Sequence, residues 1–224
     1  NRIAWDLKHF NPFSIPENGK IKKGGYNSGA LAIPQAYTAT LYLEDNGVVN
    51  QLDEPIVFDV KPIREGVLQG VSHQEYDEYR NNLSALIKKL DVLEDVLERS
   101  EEKLMALKTA LNNSNIAPGP INKEIQALQK EAIAIKKSVE GSPSKDEIGE
   151  RTPPSIQTHL RVAYRGMMST YGPTPLHQKS MALGKKMTLE IEAKIISLQN
   201  DKIKPLEQKL KTLGAPYIQG QGIE

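Results

Sequence analysis

The side chains best suited to chemistry in this chain are four histidines, His9, His73, His159 and His177, and a dense set of acids, Glu94, Asp95, Glu98, Glu101 and Glu102. A helical zinc site needs two imidazoles on one face, at i and i+4. No two of these histidines stand at that spacing, so they read as ordinary surface or packing residues and no metal is expected. The five acids lie on a helical stretch with lysines nearby, and a solvated, salt-bridged face explains them better than an acid-base pair. The glycine-rich GGYNSG, residues 24–29, lacks the strand-turn-helix context of a phosphate loop. A Gly-x-Ser-x-Gly elbow is also missing. With no cysteine there is no thiolate nucleophile, no disulfide and no cysteine-based zinc site. Trp5, Tyr37, Tyr42 and Phe58 could line a sugar-binding face, although packing within a small sheet is the stronger reading. The sequence therefore assigns no catalytic, cofactor-binding or metal-ligating residue, and neither a cofactor nor an activity is expected of this chain by itself.

Charge narrows the partners. The 224 residues carry 29 Lys and Arg against 28 Asp and Glu, a formal net charge of +1. No global field recruits nucleic acid or an anionic membrane. No apolar run approaches the roughly 20 residues that cross a bilayer, so no membrane span is expected. No signal-peptide pattern is present either, which places any export signal upstream of Asn1.

The composition changes near residue 70. Before it, Gly, Pro, Asn, Tyr and β-branched residues dominate; after it, Leu, Ile, Lys, Glu and Ala recur with helical spacing. This divides the chain into a β part, residues 1–68, and a helical part, residues 69–224. In the β part, NRIAWDLKHF alternates Ile3, Trp5 and Leu7 with polar or small residues and reads as an opening strand. Residues 11–34 are rich in turn formers and read as loop. AYTATLYLED, 36–45, reads as one strand, Asn46-Gly47 as a hairpin turn and IVFDV, 56–60, as another strand ended by Pro62. So few strands make at most part of a sandwich.

In the helical part, Tyr76, Tyr79, Leu83, Leu86, Leu90, Leu93, Leu97, Ser100, Leu104, Leu107 and Leu111 alternate by three and four, with Ile87, Val96 and Met105 widening the stripe. One helix from Ser72 to Asn113 follows, roughly 60 Å long at 1.5 Å per residue, with Ser72 as its N-cap. Ile121, Ile125, Leu128, Ala132, Ile135 and Val139 mark a second helix of about half that length. The polar stretch 141–154 reads as a mobile linker. A third helix, 154–171, carries Ile156, Leu160 and Tyr164. A fourth, 174–213, carries Leu176, Leu183, Met187, Ile191, Ile195, Leu198, Leu206, Leu210 and Leu213, with a kink at Pro205. Met167, Met168, Met181 and Met187 suit irregular gaps between helices. The fold class expected is α+β: a small Ig-like or partial β-sandwich, then an antiparallel helical bundle with two long and two short helices. In that arrangement the last long helix returns beside the first, and the C-terminal tail, with Tyr217 and Ile218, lies against the sheet.

The run NRIAWDLKHF, then IPQAYTATLYLEDNG, IVFDVKP and KPLEQKLKTLGAPYI resembles the C-terminal region of large bacterial secreted proteins with BNR-repeat, sortilin-like β-propellers, often labelled glycosyl hydrolases. Gln35 stands where that family often has glycine, Lys61 where an aspartate commonly precedes the proline, and residues 11–34 are expanded. The resemblance implies a periplasmic or extracellular location, with the propeller and any catalytic carboxylates upstream of Asn1, so the opening strand is expected to have lost its upstream neighbours. Its partners are then the upstream β-propeller of the same polypeptide and a glycan or protein. The function expected is a non-catalytic accessory or interaction module. Two alternatives stand beside it: a carbohydrate-binding or structural part of a glycoside hydrolase, and a coiled-coil adaptor that pairs through the long Leu stripe.

The stripe generates a first prediction. Leu90→Asp or Leu107→Asp should cost several kcal/mol, because each places an unpaired charge in the helical seam. Thermal melting checks this, and an unchanged melting temperature would put the buried face elsewhere.

Overall fold

Ser72 sets where the helices begin. Its side chain accepts from the Glu75 backbone N–H at 3.2 Å, and its own N–H donates to Glu75 Oε2 at 2.9 Å, a reciprocal cap that satisfies two orphan donors. The computed structural model describes residues 4–9, 29, 31–64, 69–169 and 171–221. Within these, a small antiparallel β region precedes a mostly helical remainder.

Strands β1 (Gln35–Ala39), β2 (Tyr42–Asp45), β3 (Val48–Gln51) and β4 (Ile56–Val60) form two two-stranded sheets in tandem along one hairpin. The turn is Asn46-Gly47, with φ of 51° and 81°, the left-handed pair that a two-residue hairpin needs. β2 pairs with β3 so that Asp45 faces Val48, and β1 pairs with β4 so that Tyr37 faces Phe58. The stretch expected as one strand over 36–45 is broken at Thr40 and Leu41, because residues 52–55 on the return arm stand against only these two. Pro55 lacks a ladder donor and falls in this bulge.

The opening segment departs from the expected strand. Over residues 4–9 only Lys8 bridges, antiparallel to Leu31. Leu7 is left-handed, with φ of 59°. Lys8 N–H donates to Asp6 Oδ1 at 3.1 Å and Trp5 Nε1–H to the Lys8 carbonyl at 2.9 Å. Asp6 offers the backbone a local acceptor that competes with strand pairing, which apolar alternation alone does not reveal. Ile3 and nearly all of the loop expected over 11–34 lie outside the described residues.

The helices are α1 (His73–Asn112), α2 (Gly119–Glu140), α3 (Pro143–Glu147), α4 (Ile156–Arg165), α5 (Pro175–Ser197) and α6 (Lys204–Thr212). The expected stripes of α1 and α2 are buried almost residue for residue; Tyr76 is partly exposed and Met105 faces outward. Leu83, Leu104 and Leu107 are fully buried. The short helix α3 stands inside the segment expected as linker, with Lys145 paired to Glu150.

Cross-links between helices correct the expected arrangement. Lys136 pairs with Glu101 at 3.1 Å, Gln157 reaches Glu94 at 2.8 Å, and the Tyr79 hydroxyl donates to the Ala163 carbonyl at 2.8 Å. Along the return arm, rising numbers therefore meet falling numbers on α1, so α4 continues the direction of α2 and does not run outward again. Lys89 pairs with Glu192 and Lys103 with Glu207, both at 2.6 Å, so α5 and α6 run parallel to α1. The bundle is three-armed: α1 out, α2 with α4 back, α5 with α6 out. The last long helix therefore does not return beside α1 as expected, and the C-terminal tail does not lie against the sheet. Ala215 and Ile218 pack at the far end, and Gln221 Nε2–H donates to Glu207 at 2.9 Å. Lys103, which holds Glu207, lies about 35 Å along α1 from Arg80, the residue near the β region.

Two local features close the third arm. In the first half of α5 the buried row is Ser180, Gly184 and Thr188, whereas Leu176 and Leu183 of the expected stripe are exposed. The small row lets α4 approach closely: a Cβ on Gly184 would stand 2.9 Å from Leu160 Cδ2. Pro205 disturbs the arm not by a plain kink but through a π turn over Leu198–Ile203, where the Lys204 N–H reaches back to the Gln199 carbonyl.

The ribbon adds little to this core, since Ile56, Val57, Val48 and Val49 are each about 60% exposed or more. Trp5, the single tryptophan, sits on the ribbon. Urea should therefore shift Trp5 emission at a lower concentration than it removes the helical circular dichroism. Coincident transitions would mean that ribbon and bundle unfold as one unit.

Candidate functional site

Two surfaces carry what this chain can do at contact range. The first is the β ribbon. Tyr37 and Phe58 face each other across β1 and β4 with ring centroids 6.2 Å apart, and Trp5 meets them edge-on at 5.2 Å and 6.1 Å. These rings pack on one another, while Tyr42 stands apart on β2, 56% exposed. Trp5, Tyr37 and Phe58 thus pack within the ribbon, whereas Leu41 is half-exposed. In a two-stranded ladder each strand keeps one edge whose N–H and C=O groups have no ladder partner. Among the described residues the faces of the ribbon carry exposed apolar side chains, Val48, Val49, Ile56 and Val57.

The second surface is a cleft of about 290 Å³ between α1 and α4, lined by Ile87, Leu90, Asp91 and Glu94 on one wall and by Gln157, Leu160, Arg161 and Tyr164 on the other. A smaller cleft, about 210 Å³, continues between α1 and α2, past Leu97, Glu98, Glu101, Lys136, Val139 and Glu140. Glu94 lines both. It lies opposite the break in the return arm, where α2 has ended at Glu140 and α4 begins at Ile156. Burial is the main influence on its carboxyl and pushes it above the usual range; the bond from Gln157 opposes this, and the nearby Asp91 and Glu140 add to it. Burial likewise pushes the Tyr79 hydroxyl up to about 12. That hydroxyl and the Tyr76 hydroxyl, which donates to the Met167 carbonyl at 2.8 Å, tie the end of α4 to α1.

No family model, curated protein or solved structure matches this chain. Site chemistry must therefore be read from the residues themselves. Among the described residues, no group of three or more His, Asp or Glu is placed to hold a metal ion, and no helix is long and apolar enough to cross a membrane. The histidines are dispersed. His177 Nδ1 accepts from the Thr174 N–H at 3.1 Å and helps cap α5. His9 lies beside Tyr37, and its imidazole is lowered by burial and by Arg80, with Asp77 opposing. His73 opens α1, and His159 lies on α4. Of the five acids, Asp95 pairs with Arg99 at 3.2 Å and Glu101 with Lys136 at 3.1 Å, as a salt-bridged face would have it.

Glu94 is the residue that reading by charge misses. Its signal lies in the heptad row: Ile87, Glu94 and Glu101 are seven apart, and Ile87 is buried. A glutamate one heptad beyond a buried isoleucine faces the same neighbour.

Because the folded protein raises the Glu94 carboxyl, folding favours its protonated form. The associated stability is present below the unfolded range and is lost as pH rises through the raised folded value. Glu94→Gln removes the charge and retains an acceptor for Gln157, so it should raise the melting temperature at neutral pH. The gain over the parent should shrink in acid, once Glu94 is protonated in both states. Melts at the two pH values check this; a lower melting temperature at neutral pH would show the ionised form to be the stabilising one.

Proposed function

We propose that this chain is a non-catalytic accessory and interaction module of a larger secreted protein, of the kind with a BNR-repeat, sortilin-like β-propeller. In this reading the β region becomes an Ig-like sandwich when strands from the adjoining polypeptide cover it. The observation that carries the reading is the ribbon: four short strands, each with a single ladder partner among the described residues, and with Tyr42, Val49, Ile56 and Val57 exposed. A two-stranded ribbon is marginal alone and gains most from an added strand or sheet.

The bundle serves as the rigid support. The Leu stripe of α1 is buried together with the apolar faces of α2, α4, α5 and α6, which favours the ribbon over the stripe as the contact surface. Trp5 meets the stacked Tyr37 and Phe58 rings edge-on, so the three rings do not form one flat platform, which favours protein packing over sugar stacking. The periplasmic or extracellular location follows from the resemblance in NRIAWDLKHF, IPQAYTATLYLEDNG and IVFDVKP.

The test is the coding sequence before Asn1, followed by hydrogen exchange on this chain alone and on the longer protein. Propeller-type repeats upstream, and β1 and β4 amides that exchange fast alone and slowly in the longer protein, are the expected outcome. A start codon immediately before Asn1, or equal protection of the ribbon in both proteins, would overturn the proposal.

A further inference from the structure

The cleft between α1 and α4 combines features that the accessory role does not use. Its floor is hydrocarbon, from Ile87, Leu90 and Leu160. Its α1 wall carries the carboxylates of Asp91 and Glu94, and its α4 wall carries the guanidinium of Arg161 at the exposed rim. Because α4 runs antiparallel to α1, Gln157 stands level with Glu94, and Arg161 stands one turn closer to the β end. Tyr164, a further turn on, presents a ring to the same space.

This lining selects by charge. A simple organic cation would be attracted to Glu94 but repelled by Arg161, and a simple anion would meet the reverse. A small molecule with both charges on one carbon satisfies both walls at once. The apolar floor then asks for a hydrocarbon substituent, since a polar one would be desolvated there without a partner. A volume of about 290 Å³ lies at the small end of ligand sites and suits one compact molecule.

We infer that this cleft binds a free α-amino acid with an apolar side chain. The ammonium group lies at the Glu94 carboxylate. The carboxylate lies at Arg161 and at the second N–H of the Gln157 amide, whose first is given to Glu94. The side chain rests on Leu90 and Leu160, against the Tyr164 ring. The break between α2 and α4 gives the ligand its way in, because α2 ends at Glu140, α4 begins at Ile156, and the short α3 between them is exposed along its whole length.

Calorimetric titration of the full chain with L-leucine and L-phenylalanine tests this, alongside L-leucinamide, which lacks the carboxylate, and N-acetyl-L-leucine, which lacks the ammonium. Saturable binding of either free amino acid is expected, with both blocked forms about tenfold weaker or worse. Glu94→Gln and Arg161→Gln should each weaken binding by a similar factor while the melting temperature stays at or above that of the parent, which separates loss of the site from loss of the fold. No binding up to roughly 10 mM would overturn the inference. So would a preference for leucinamide, marking a simple cation site; a preference for the acetylated form, marking an anion site; or unchanged affinity in the Glu94→Gln variant. A ribbon that fails to gain protection in the longer protein leaves this result untouched, because the cleft lies wholly between helices.

Discussion

The apolar stripe of α1 is the constraint on which the molecule depends. Forty residues of continuous helix, roughly 60 Å long, carry it, and its buried positions run from Tyr79 to Leu111, about 48 Å. A stripe of that length cannot be left in water. At about 25 cal/mol per Å² of apolar surface, its burial outweighs any single cap or ion pair in the chain. The rest of the helical sequence is a solution to covering it, and it does so with two further arms of similar reach. One of these arms is in two pieces, and the discontinuity determines where the surface is concave. The polar groups then follow the packing. Lys89, Lys103, Lys136 and Lys202 each cross to a glutamate on another helix at the margin of the core.

Much of this was legible along the chain and some of it was not, for physical reasons. Ser72 with Glu75, the stripe of α1 and the stripe of α2 are local patterns, and local patterns survive into the structure. The direction of α4 is not local. Its apolar face, Ile156, Leu160 and Ala163, suits an outward or a homeward helix equally, and only cross-links such as Gln157 to Glu94 distinguish them. The first half of α5 misleads for another reason. Leu176 and Leu183 look like the buried row, but the small residues beside them allow a closer approach by α4, and close approach wins. Glu94 was read by its charge with its neighbours, while its environment is set by the heptad row it shares with Ile87. The opening segment shows the limit of alternation as a signal, since Asp6 and a left-handed Leu7 turn the backbone before a strand can form.

The chain thus divides its labour. The bundle has a buried core reaching from Tyr79 to Leu210 in sequence, and the ribbon, among the described residues, has outward apolar faces and a three-ring cluster. Between them stand His9, Asp77 and Arg80, with Arg80 buried and paired to Asp77 at 2.7 Å.

The π turn at Leu198–Ile203 bears on how the third arm came to fit. Buried positions along it run Ile191, Ile195, Leu198, Ile203, Leu206 and Leu210, with steps of three and four everywhere except across the wide turn, where the step is five. A helix with one residue too many for its face must either rotate that face away or swell locally to absorb the surplus, and here it swells. The arm is in phase with α1 at both ends because the excess is confined to one turn. A shorter relative of this chain, with one residue fewer between Gln199 and Lys202, would present the same face in an unbroken α-helix. The wide turn thus absorbs one residue and keeps the buried faces on either side of it in line.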